Sequence, residues 1–196
     1  MIIGEKISLK PIELSDSELL QKLMNDPSIV NNTVGWSFPV SLHSQESFIK
    51  SLSGSNRDYR FIIMDNQSKQ NIGVTGLWNI HWQNRSAESA IKLLPEACNR
   101  GYGTETIMLI MAWAFYSVGL QRLYAEILNI NQASLSLYTK KCHWRSEGVQ
   151  LKAVFKAGEW HNLHNIAILK EEFDLIDNAK KYIDFVCPSN GLSDNS

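Results

Sequence analysis

Ile7, Leu9 and Pro11 alternate with Ser8, Lys10 and Glu13, the two-residue period of a half-buried strand, and Ser15 or Asp16 then offers an N-cap for a helix over 18–24. From 25 to 56 turn signals dominate, among them Asn25-Asp26-Pro27 and Ser37-Phe38-Pro39, with a short helical spacing at Leu42, Phe48, Ile49 and Leu52. Residues 60–64 and 72–80 read as a hairpin around the polar turn 65–70, and 86–94 as a third strand after the turn 83–85. The segment 104–118 is helical: Ile107, Ile110, Met111, Ala114 and Val118 make one face, and Met108, Leu109, Trp113 and Phe115 widen it. So wide an apolar band predicts a helix covered on most sides. Gly119 ends it, 122–128 is the next strand, and 131–141 resumes helical spacing through Ala133, Leu135, Leu137 and Tyr138. A closing hairpin pairs 150–155 with 160–169. Leu175, Ile176, Ala179, Ile183 and Val186 then suit one more amphipathic helix over 171–186, and the Ser- and Asn-rich tail 188–196 is expected to be disordered. No internal repeat is visible.

The stretch Leu94-Pro95-Glu96-Ala97-Cys98-Asn99-Arg100-Gly101-Tyr102-Gly103-Thr104 joins an apolar strand to that wide helix. Strand, Gly loop, helix start is the local architecture of a phosphate cradle. Unshielded amides and the positive end of the helix dipole converge on an anion, which predicts a phosphorylated ligand.

Composition narrows the partners. At 196 residues with 44% hydrophobic and 20% charged content, one domain with an ordinary core is expected, and a net charge of −1 gives no footprint for nucleic acid. The longest apolar run, 107–115, is too short to span a bilayer, so no membrane partner is expected. Cys98, Cys142 and Cys187 are scattered and odd in number, which fits a reducing, cytoplasmic setting and neither a disulfide framework nor a zinc knuckle. His161 and His164 lie three apart in a predicted strand, on opposite faces, so no metal site is expected.

With these elements in order, three motifs resemble the GNAT superfamily of acyl-CoA N-acyltransferases, in particular its branch of ribosomal-protein N-terminal and spermidine acetyltransferases. The strand Ser86-Ala87-Glu88, followed by Arg100-Gly101-Tyr102-Gly103-Thr104-Glu105, is similar to the family's fourth strand and its coenzyme A pyrophosphate loop. Asn131-x-Ala133-Ser134-x-x-Leu137-Tyr138-x-Lys140 is similar to the helix against the pantetheine arm, and Glu147-Gly148 with the Phe155-to-His161 hairpin to the close of the domain. The likeness covers roughly residues 5–172 and implies an α/β (α+β) fold: a mixed, mostly antiparallel sheet of six to seven strands flanked by about four helices, with 173–196 as an appended helix and tail. There are departures. Cys98 stands where the family usually has Gln or Arg, Asn99 replaces a common Gly, and Cys142-His143 replaces a Gly-Phe, so that Trp144 or His143 must fill the Phe space.

The resemblance implies acetyl-CoA as co-substrate, held by Ile91, Lys92, Leu93, Cys98, Asn99, Arg100, Gly101, Tyr102, Gly103, Thr104, Asn131, Ser134 and Tyr138. A lysine-like amine has a free pKa of about 10.4, so neutralising it at pH 7 costs about 4 to 5 kcal/mol, and a carboxylate that takes its proton is useful. Glu126, five residues before Asn131, has the spacing of the branch's general base, with Glu88 on the preceding strand as runner-up. Tyr138 matches the family's tyrosine beside the leaving sulfur, or else is an amphipathic core residue. Asn131 either bonds the pantetheine or caps its own helix.

The irregular loops make Trp36, Phe38 and Trp82 candidates for the acceptor rim, unless the first two simply plug the core. Cys98 and Cys142 have no oriented His–Asp partner in the sequence, so direct attack by the amine in a ternary complex is expected, without a covalent enzyme intermediate. The acceptor implied is a protein N-terminus or a small metabolite amine such as an amino sugar. A polyamine is the alternative, weakened by the lack of an acidic cluster over 28–45. The rival class is a catalytically silent acyl-CoA-binding module. The helix over 171–186 packs on its own domain or on a second subunit, which leaves a homodimer open.

Overall fold

The computed structural model describes residues 1–35 and 38–188. Eight strands form one sheet: β1 (Ile2–Ile3), β2 (Ile7–Pro11), β3 (Tyr59–Asp65), β4 (Asn71–His81), β5 (Ser86–Leu93), β6 (Arg122–Leu128), β7 (Arg145–Lys156) and β8 (Glu159–Leu169). Their order is β1-β2-β3-β4-β5-β6-β8-β7. All neighbours are antiparallel except β5 and β6. The strand beyond the expected six to seven is β1, whose two residues pair with Leu9 and Ser8 and are too few to show a period.

Four helices stand where the periodicity places them: α1 (Ser17–Asn25), α3 (Leu42–Leu52), α4 (Tyr102–Ala112) and α5 (Gln132–Ser136), the last two each running on into a π turn, Trp113–Ser117 and Leu137–Lys141. Of the two expected caps of α1, Asp16 holds the position. Its carboxylate instead accepts from the Glu13 amide, from Lys10 and from Asn71, tying the helix start to β2 and β4. Single-turn α2 (Pro27–Val30) is additional. The C-terminal amphipathic segment is two helices, α6 (Lys170–Asp174) and α7 (Ala179–Val186), rather than one. Leu175 is 83% exposed, while Phe173, Ala179 and Tyr182 are buried in the main core, so one straight apolar face does not fit the surface beneath. The expected disordered tail from 189 onward lies outside the described residues.

Every residue of α4 from Glu105 to Ala112 is buried, as its wide apolar band predicts. Against its far side lies Trp144, 2% exposed, edge-on to Tyr138 at 4.8 Å between centroids, with its indole N–H donating to the Met111 sulfur. Trp144 therefore fills the apolar space, and His143 points outward on a left-handed backbone.

What positions the site is a local failure of pairing. β5 and β6 run parallel but pair only over Ser86–Glu88 and Arg122–Tyr124. Beyond that, β5 continues on β4 as far as Leu93 and β6 on β8 as far as Leu128, so the two strands diverge and open a wedge in the middle of the sheet. Ladder groups facing the wedge have no strand across from them and must be met by side chains, water or a ligand. Among the described residues no helix is long and apolar enough to cross a membrane.

Candidate active site

The wide end of the wedge is the cradle. A cleft of about 510 Å³ is bounded by Ile91, Lys92 and Leu93 of β5, by Cys98, Asn99, Gly101, Gly103 and Thr104 of the loop, and by Asn131, Ser134 and Leu137 around α5. Gly101, the N-cap of α4, has φ +85°, a conformation that side-chain-bearing residues rarely adopt. A Cβ on Gly103 would stand 3.1 Å from the Leu137 side chain, so the first turn of α4 and the end of α5 approach as closely as glycine allows. The first-turn amides of α4 have no partner within the helix and face the cleft. Asn99, the departure from the family's glycine, sits at φ +61°, where Asn is among the best tolerated of non-glycine residues.

Three residues expected to hold the donor do not line this cleft: Arg100, Tyr102 and Tyr138, the last of which lies deeper in the wedge. Arg100 is exposed. Tyr102 packs partly into the core and reaches Asp65, whose carboxyl it helps hold below the usual range after the larger effect of Ser68. Lys141, at the end of the α5 π turn, lines the cleft although sequence reasoning passed over it; a cation in a last helical turn was the available signal.

Deeper in the wedge lies a cavity of about 220 Å³. It shares Asn32, Thr33, Ile91, Lys92, Asn131 and Ser134 with the cleft, so the one leads into the other. Glu88 and Ala90 of β5 form one wall, and Ala125, Glu126 and Ile127 of β6 the opposite one. The two expected base candidates thus face one space. Burial, and then the charge of Glu88, raise the Glu126 carboxyl above its ordinary pKa. Glu88 is engaged differently: Asn79, at φ +51° on the bulge that interrupts β4 beside Trp78, donates to its carboxylate at 2.9 Å.

Tyr138 also lines the inner cavity, from the π turn that extends α5. It is 2% exposed, and its hydroxyl is buried without a hydrogen-bond partner among the described residues. Burial chiefly pushes its pKa up. The Ser89 hydroxyl acts in the other direction, yet stands outside hydrogen-bond geometry and is itself unpartnered. An unpartnered buried hydroxyl costs about 1 to 3 kcal/mol, and one on a cavity wall is placed to meet a ligand there. That orphaned group, together with the glycine cradle, fits a long donor whose phosphates lie at the loop and whose reactive end reaches the inner cavity.

Asn131 caps α5: its Oδ1 accepts from the Ser134 amide at 3.0 Å, while its Nδ2 donates to the Asn32 carbonyl at 2.9 Å. Lys156, from the end of β7, donates to the carbonyls of Val30 (2.7 Å) and Thr33. These two residues fasten the loop 31–34 over the cavity. Arg60 and Trp78 complete the wall. No short motif marks Arg60 or Trp78 in the sequence, and Lys156, although it stands in the Phe155-to-His161 hairpin, carries no signal there of its contact with the loop.

Trp82, expected at the rim, donates its indole N–H to the Asn56 carbonyl at 2.7 Å and lines neither space, and neither does Phe38, 82% exposed. Trp36 lies outside the described residues. The thiols are not activated: burial pushes Cys142 up to about 12, and Cys98 is raised by burial and then by Glu96. Among the described residues no His, Cys, Asp and Glu side chains group as a metal site.

Known proteins are similar to this chain. The model of the acetyltransferase (GNAT) domain family matches residues 6–141. A spermidine N(1)-acetyltransferase of Vibrio cholerae serotype O1 is 23% identical over 171 residues, covering 87% of this chain and 97% of its own. An N-acetyltransferase 9-like protein of Caenorhabditis briggsae is 26% identical, covering 79% and 81%. In fold, the chain is similar to a Vibrio cholerae spermidine N-acetyltransferase solved with CoA and spermine, at TM-score 0.81 and 24% identity over 86% of this chain and 98% of that one. A glycine cradle at the start of α4, a wedge between parallel strands and a match over most of the chain lead to one assignment: this chain belongs to the GNAT acetyltransferases, acyltransferases that take their acetyl group from acetyl-CoA.

Proposed function

We propose that the chain acetylates a primary amine by direct attack in a ternary complex, with Glu126 as proton acceptor and Tyr138 as hydrogen-bond donor to the leaving sulfur. The observation that carries this reading is the unpartnered, buried hydroxyl of Tyr138, a residue that lines the same cavity as Glu126. Acetyl-CoA supplies, when bound, the thioester carbonyl that the amine attacks. The Gly101–Thr104 turn would hold its pyrophosphate, and the β5 edge from Ile91 to Leu93 its pantetheine arm. The raised pKa of Glu126 makes it a stronger proton acceptor. Tyr138, whose own pKa burial raises, stays protonated and acts by hydrogen bonding rather than by full proton transfer.

A cavity of about 220 Å³ suits a small metabolite amine, such as an amino sugar, or the terminal residue of a peptide. A polyamine is the second reading, favoured by the acceptors of two similar proteins and by two carboxylates on one cavity. Free cysteines fit a cytoplasmic setting. The outer strand β7 leaves Val149, Leu151 and Phe155 exposed along an unpaired edge, which suits a second copy; a similar Vibrio cholerae enzyme is dodecameric.

Free thiol released from acetyl-CoA, followed across amino sugars, amino acids, polyamines and peptides, tests the proposal. Acceptor-dependent release with at least one amine is expected. Its absence across the whole panel would sink the reading.

A further inference from the structure

We infer that the acceptor carries an oxyanion, a carboxylate or phosphate, on the same molecule as its amine, and that Arg60 and Lys92 receive it in the inner cavity. This rests on the acetyltransferase reading and narrows it. Arg60 enters from β3 with its side chain 20% exposed, its guanidinium 3.8 Å from the Trp78 ring centroid and 5.9 Å from that of Phe48. Stacking of this kind fixes the plane of the guanidinium. Asp58 reaches only one terminal nitrogen, at 3.7 Å, and the Nε–H is fully buried with no hydrogen-bond partner among the described residues. A stacked, oriented cation with an unmet donor on a cavity wall is suited to a planar or tetrahedral oxyanion.

Lys92 lies four residues beyond Glu88 on β5, hence on the same face, and lines both the cavity and the cleft. Burial first, then the charges of Arg60 and Lys156, oppose its ammonium, and Glu88 favours it; the balance brings its pKa down to about 8. Arg60 and Lys156 therefore both weaken the Lys92 ammonium, and an anion held between Lys92 and Arg60 relieves that repulsion. Across the wedge stands Glu126. The cavity thus carries both signs, Arg60 and Lys92 on the β3–β5 side, where Glu88 also stands, and Glu126 on β6, which matches an amine joined to an oxyanion better than a molecule carrying positive charge alone.

The test compares matched acceptors on the full chain with acetyl-CoA: an α-amino acid against its amide, glucosamine 6-phosphate against glucosamine, and spermidine. The oxyanion member of at least one pair is expected to exceed its neutral partner, and spermidine, by about tenfold or more in kcat/KM. Which pair responds separates carboxylate from phosphate. Arg60→Gln should bring that ratio towards one, and Arg60→Lys should keep part of it, with circular dichroism confirming the fold of each variant. Equal or better turnover of the neutral amines and spermidine, or a ratio unchanged in Arg60→Gln, overturns the inference. If no amine releases thiol, the acetyltransferase reading fails by itself. Calorimetric binding of each pair to wild type and Arg60→Gln then decides the subsite: tighter oxyanion binding lost in the variant supports it, and no difference overturns it.

Discussion

The two sides of the wedge are built on different principles. On the proposed donor side the backbone dominates the lining: Gly101 at φ +85°, Gly103 against Leu137, and the opening turn of α4. On the acceptor side, side chains from β3, β4, β5 and β6 and from the end of β7 meet around one small cavity, which the loop 31–34 covers. The first design would hold one donor with little dependence on side-chain identity. The second can be retuned residue by residue, so the same family fold accepts different amines.

The contrast predicts separable failures. Glu126→Gln should lower kcat by about a hundredfold or more with donor affinity nearly unchanged. The acidic limb of its pH profile should go with it. In the wild type turnover falls as pH drops through a Glu126 pKa raised above the ordinary carboxylate value, because the base is lost on protonation. Initial-rate measurements against pH check both statements, and a wild-type limb at the ordinary value or below would break the assignment.

Gly101→Val acts on the other side. A side chain forced to φ +85° costs about 1 to 3 kcal/mol, so the KM for acetyl-CoA should rise about tenfold while the KM for the amine stays within a few-fold. Calorimetry with CoA alone and a two-substrate rate surface would show it; an equal rise in both constants would contradict the division. Lys156→Met should have the smallest effect. It frees the carbonyls of Val30 and Thr33 that fasten the covering loop, and the amine KM should rise about threefold with CoA binding unaffected.

The donor side was legible in the sequence because its needs are local. Glycines at 101 and 103, an apolar strand before them and an apolar helix after them are consecutive, and backbone geometry is what they encode. β6 likewise reads directly, from Arg122 to Leu128, since its apolar run is flanked by turns. The acceptor side was not legible, because its partners meet only in the fold. Lys156 reaches Val30 across 126 positions, and Arg60 finds Trp78 only once β3 and β4 pair. Trp78 and Trp82 look alike in an alternating strand, yet the bulge in β4 between them leaves Trp78 on the cavity and Trp82 on the Asn56 carbonyl. Glu126 was found from its spacing of five residues before Asn131 and Glu88 as the carboxylate of the preceding strand, but their difference in environment comes from Asn79, which no pattern announces.

The central claim is that the unpartnered Tyr138 hydroxyl exists for the leaving sulfur, and Tyr138→Phe tests it most directly. Removing a buried hydroxyl with no partner should leave the protein as stable as before or about 1 kcal/mol more stable, while single-turnover transfer from acetyl-CoA slows by about tenfold or more at unchanged donor affinity. Loss of stability with transfer at the wild-type rate would mean that Tyr138 serves the core and not the reaction.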